Sequence, residues 1–209
     1  MGDQELGRVC LILVLSLATM FLDDDTAWKL LPGAAWVGVL SGVLCHHENI
    51  EISHRLVVVL VSMVHYVLLR YGERRLSHWV LPALFTGSGL ASALVMLHAH
   101  TARLSDVGMM WMACSAGLLL SICIIKTGIR GLAGPAAVLL PFLLYYGRLS
   151  TYSEVPVWSF VLVAAAPLAC ILCWIGKGKL RMTLVIALWL LCLLAAVALA
   201  MRYETILAG

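Results

Sequence analysis

Charge is what this chain has least of. Only 12% of its 209 residues are Asp, Glu, Lys or Arg, against about a quarter in soluble domains, while 63% are hydrophobic and the mean hydropathy is +1.01. A soluble globular domain is thereby excluded, and a polytopic membrane protein follows. Long polar stretches are missing too. The links between apolar runs, DDDTAWK, HHENIEISHR, RYGERRLSH, HAHTARLSD, KTGIRG, YGRLSTYSEV and GKGKLR, are too short to fold on their own, so any chemistry belongs to the helices or their rims. A concentrated basic patch is absent as well: the net charge is +3, with cations spread over many segments, which removes nucleic acid as a partner. The seven cysteines are an odd number set mostly inside apolar runs, so they imply packing instead of a disulfide framework.

What is present reads as a single all-α transmembrane domain over residues 1–209, a bundle of about eight membrane helices. A span needs about 20 apolar residues, and the runs fall at 7–22, 28–45, 55–71, 79–98, 107–125, 131–147, 156–175 and 182–201. The leader MGDQELGR has no basic excess, so the first run is expected to be a retained span and not a cleaved signal. The third is the shortest, bracketed by Arg55 and Arg70. Pro141 and Pro167 lie inside the sixth and seventh, where each frees a backbone carbonyl and predicts a kink. Trp and Tyr residues gather near the span ends, as expected at a headgroup boundary.

Orientation follows from the basic residues, which favour the cytoplasmic side. With eight spans, one face carries nine of them, Lys29, Arg70, Arg74, Arg75, Lys126, Arg130, Lys177, Lys179 and Arg181. The other carries Arg8, Arg55, Arg103, Arg148 and Arg202. Both termini are therefore expected outside the cytoplasm. A loose repeat links LLPGAAWVGVLSGVLCHH to VLPALFTGSGLASALVMLHAH, both running from Leu-Pro through small residues to histidines.

Within the spans no carboxylate, lysine or arginine lies away from the ends, and His65 is the one deep histidine. Proton-coupled transporters, pumps and voltage sensors need buried ionisable groups, so that class loses ground to a facilitator or an assembly partner. Small residues at fourfold spacing, Ala34, Gly38 and Gly42, Ser88 and Ser92, and Ala113, Gly117 and Ser121, predict close helix packing with neighbours in the same chain or another.

The candidate site is a set of rim histidines. His47, Glu51 and His54 share one helical face, and His98 and His100 end another span on the same side. Imidazole nitrogens with a carboxylate oxygen suit a divalent metal such as zinc, and an open position would activate water. No HExxH accompanies them, and the plainer reading is a solvated link. Cys170 and Cys173 form a CxxC buried in LACILCW, expected to be inert core thiols. Ser88 in TGSGL is flanked by glycines as a nucleophile would be, but Thr86 stands at the first glycine position and no histidine follows His100 to act as base. No catalytic residue is assigned.

Overall fold

The computed structural model describes residues 11, 15, 30–45, 51–125, 131–150, 155–175 and 178–207. Among them every regular element is helical. These are α1 (Leu30–Leu44), α2 (Ile52–Arg75), α3 (Val80–His98), α4 (Ala102–Ile125), α5 (Ala133–Leu149), α6 (Val157–Ala165), a 3₁₀ segment (Ala166–Ile171), α7 (Leu172–Ile175) and α8 (Gly178–Leu207). Five stretches are long and apolar enough to cross a membrane: Ile52–Arg75, Val80–His98, Leu104–Ile125, Val157–Trp174 and Gly178–Tyr203. The expected eight is not reached: α1 and α5 have 15 and 17 residues, and the run at 7–22 lies outside the described residues except for helical Leu11 and Leu15.

The chain divides into two compact units, one of Met1–Arg74 with Arg130–Phe142, the other of Arg75–Ile129 with Leu143–Gly209. In the first, α1 and α2 form an antiparallel hairpin whose seam is set by glycine. A side chain on Gly33 would collide with the Tyr66 ring. One on Gly38 would come within 3.0 Å of Met63, and one on Gly42 within 3.4 Å of Val59. Ala34, Val37 and Ser41 fill the same face, and the Ser41 hydroxyl returns its proton to the Val37 carbonyl at 2.9 Å. The expected Ala34, Gly38, Gly42 face is thus a packing seam.

The span expected to be shortest, 55–71, is a 24-residue helix. Its start is anchored by the Glu51 carbonyl, which accepts the N–H groups of His54 and Arg55 at 3.1 and 3.2 Å. Its end runs through RYGERR because Arg70 finds a carboxylate one turn on, at Glu73. Much of two expected links is therefore helix.

In the second unit α3 and α4 make a closer hairpin. A Cβ on Gly89 would lie 2.7 Å from the Met112 backbone nitrogen, and one on Gly108 would lie 3.0 Å from that of Ala93. Backbones touch there, with Ser105 donating to the Ala93 carbonyl at 2.9 Å. The loose repeat has a structural counterpart: α1 and α3 begin at Leu30 and Val80, and α2 and α4 at Ile52 and Ala102, each pair 50 residues apart. The third small-residue series differs. Ala113 and Gly117 are exposed, and nothing lies within 4 Å of a Cβ at Gly117, so among the described residues this face of α4 is not a seam.

The two prolines behave differently. Pro141 stays inside α5, whose residues from Leu132 to Leu144 are all buried, as suits a helix that is apolar all round. At Pro167 the α-helix stops. Pro167 has no N–H for the Val163 carbonyl, and that carbonyl instead accepts the N–H of Ala166 as the chain tightens into the 3₁₀ segment. Local winding, not a neighbouring helix, satisfies the freed acceptor.

Candidate functional site

Two buried polar constellations and one set of rim histidines carry the chemistry-bearing side chains. The first lies where α2 ends and α5 begins, within the first unit. Glu73 occupies the last turn of α2, an unfavourable place for an anion because helix C-termini carry partial negative charge. Two partners reverse that balance. Arg70 Nη1 donates to Glu73 Oε2 at 2.8 Å, with the two side chains only 11% and 6% exposed. Glu73 Oε1 accepts the backbone N–H groups of Gly131 and Ala133 at 3.1 and 3.0 Å. These belong to the start of α5, so a carboxylate from 60 residues earlier caps that helix and meets its positive end. Gly131 sits at φ 107, a left-handed conformation suited to glycine, and this turns its N–H toward the carboxylate. Pro135 contributes no N–H, so α5 has one fewer donor to satisfy. The arrangement is a clamp: it stores charge and fixes a helix start, and it offers no nucleophile.

The second constellation is in α3 and α8 of the second unit. Trp189 is fully buried, and its Nε1–H donates to the Ser88 hydroxyl at 2.9 Å. Phe85, one turn before Ser88, lies 6.0 Å centroid to centroid from both Trp189 and Trp111. Buried indoles need an acceptor, and a serine on a small-residue helix supplies one without bulk. Ser88 is thus an acceptor for tryptophan, which agrees with the absence of a base for it. His65 is also structural: it is 2% exposed, and its Nδ1 is 2.7 Å from the Val61 carbonyl, a contact in which Nδ1 carries the proton. Cys170 and Cys173 are free and buried.

The rim histidines are distributed as follows. His47 lies outside the described residues. Glu51 and His54 are exposed at the start of α2, three positions apart, and the Ser53 hydroxyl donates to Glu51 Oε2 at 3.3 Å. They belong to the first unit, His98 and His100 to the second. His98 is the half-buried last residue of α3. His100 is exposed at φ 56, the one non-glycine residue with positive φ among those described. The reason is a helix-ending turn. The N–H of His100 returns to Leu97 and that of Thr101 to Met96, at 3.0 and 2.9 Å, the paired bonds of a Schellman motif with histidine where glycine is usual. The Thr101 hydroxyl adds a second donor to Met96 at 2.9 Å, and the Thr101 carbonyl then starts α4. Among the described residues, no three His, Cys, Asp or Glu side chains gather closely enough to hold a metal ion.

Sequence reading passed over the Arg70 and Glu73 clamp because RYGERR looks like a basic link. The i, i+3 spacing of opposite charges was a signal for the pair. Its backbone partners, some 60 residues on, left none. Comparison of the chain with protein-family models, characterised proteins and solved structures returns no match.

Proposed function

We propose that this protein is a multi-pass integral membrane protein with both termini outside the cytoplasm, acting without catalysis as a small facilitator or as an assembly partner of another membrane protein or of a second copy. The observation that supports it most is where charge lies in the five long apolar helices: among the described residues, every Asp, Glu, Lys and Arg in them sits within two turns of an end. Between those ends the polar groups are hydroxyls, indoles and His65, used to join helices. Such interiors pack and dissolve in lipid, and they lack the carboxylate or lysine that proton coupling requires. Leu56, Val57, Leu60 and Val64 on α2 and Leu184, Leu188, Leu191 and Leu194 on α8 present apolar surface outward, as a bilayer-facing helix does.

Cysteine labelling on intact cells tests the topology. Single cysteines introduced at Ser77 and Lys179 are expected to react only after the membrane is permeabilised, and a tag after Gly209 is expected to react before. A C-terminal tag accessible only from the cytoplasm overturns the orientation. Purification in mild detergent tests the role: a partner at fixed stoichiometry is the expected result. Stoichiometric zinc in the purified chain, lost on changing either His54 or His98 to alanine, would replace this reading with a metal-dependent one.

A further inference from the structure

We propose that the rim where α2 meets α3 and α8 begins binds the headgroup of an anionic phospholipid. Three cations of the second unit meet there. Arg181, in the first turn of α8, donates from Nη2 to the carbonyl of Arg75, the last residue of α2, at 2.7 Å. That bond aims the rest of the Arg181 fork along the rim and brings the exposed Arg75 side chain to the start of α8. Lys179, two residues earlier, is exposed, and the Ser77 hydroxyl meets the Met182 sulfur at 3.8 Å, joining the same two segments again.

Nothing on this rim offsets the charge. The carboxylate nearest in sequence, Glu73, is already engaged by Arg70 and the α5 backbone. Asp106 is at the beginning of α4, beyond the far end of α3. α3 adds to the attraction, because Trp79 at its N-cap makes no side-chain hydrogen bond to the first-turn N–H groups, whose partial positive charge opens onto the rim. Exposed Trp79 sits beside these cations, and exposed Trp174 lies in α7, the short helix preceding α8. Such rings settle at headgroup depth. A phosphate, and not a protein carboxylate, fits this setting because the cations stand at the ends of three membrane-length helices, level with lipid phosphates. They also belong to the face whose basic excess assigns it to the cytoplasm, where the leaflet is anionic.

The inference rests on the membrane reading proposed above, and the two fail separately. Extraction of the wild-type chain from membranes by alkaline carbonate would overturn both. With the chain retained, short-chain phosphatidylserine is titrated into detergent-purified protein, followed by tryptophan fluorescence, beside phosphatidylcholine of the same chain length. Saturable binding of phosphatidylserine alone is expected. Arg75→Gln with Lys179→Gln, both exposed and away from the core, should weaken it on the order of thirtyfold, about fivefold for each cation. Arg148→Gln, a cation expected on the opposite face, should leave it unchanged. Equal binding of the two lipids, a double variant within about twofold of wild type, or displacement of the lipid by inorganic phosphate at matching concentration would overturn the proposal.

Discussion

Replacing Glu73 should damage this protein more than replacing any other carboxylate among its described residues. Its side chain is 6% exposed, and its two oxygens serve Arg70 and the backbone N–H groups of Gly131 and Ala133. In Glu73→Ala the guanidinium, itself only 11% exposed, loses its counter-charge, and the start of α5 loses its cap. Breaking a buried pair by removing one partner costs about 3–5 kcal/mol, mainly because the surviving charge is left in a poor solvent. Glu73→Gln keeps the shape and one acceptor oxygen but not the charge, and should cost about 2 kcal/mol, the worth of a charge-assisted bond. For a chain of this length the alanine variant should unfold roughly 6–20 °C earlier. Fluorescence-detected size exclusion after heating in detergent measures this directly. Glu51→Gln, at an exposed site, is the control and should stay within about 0.5 kcal/mol of wild type. A cycle with Arg70→Met should reveal coupling of at least about 1 kcal/mol, since either single change strands the other partner. If Glu73→Ala melts with the wild type, or the cycle is additive, the clamp is an exposed pair with little weight and the reasoning fails.

Other outcomes follow from the seams and turns. Gly89→Ala should destabilise by about 1–3 kcal/mol, because the Met112 backbone cannot move aside as a side chain can; Gly42→Ala, with 3.4 Å to Val59, should be close to neutral, and equal melting of the two would contradict the closeness of the α3 and α4 seam. His100→Gly should stabilise by about 1 kcal/mol by relieving the left-handed backbone, read as a higher melting temperature, and a loss of stability would mean that the imidazole itself holds the turn. Ser88→Ala should cost about 1–3 kcal/mol by stranding the Trp189 indole N–H, a loss that thermal melts detect and that Ser88→Thr should largely avoid.

The helical character of the chain was legible because membrane-length apolar runs admit few alternatives: in lipid every backbone N–H and C=O must be satisfied inside the segment, and helices do so locally. For the same reason the boundaries of α3 and of the Val157–Trp174 stretch fall within a residue or two of the expected spans. The seam of Gly38 and Gly42 was legible because small residues four apart must share a face. The face of Ala113 and Gly117 shares that pattern and lies exposed, since spacing defines a face but not what stands opposite it. The end of α2 was misread as a link because its neutralising contacts involve residues 58 and 60 positions away. His100 was grouped by chemistry with His98, while its backbone shape comes from hydrogen bonds that end α3. Composition and local spacing thus determined helix type, approximate spans and which residues are small enough to permit contact. The tertiary structure decided which faces are used, where buried charge is reconciled and how cations gather at a rim, because each depends on distances between segments far apart in the chain.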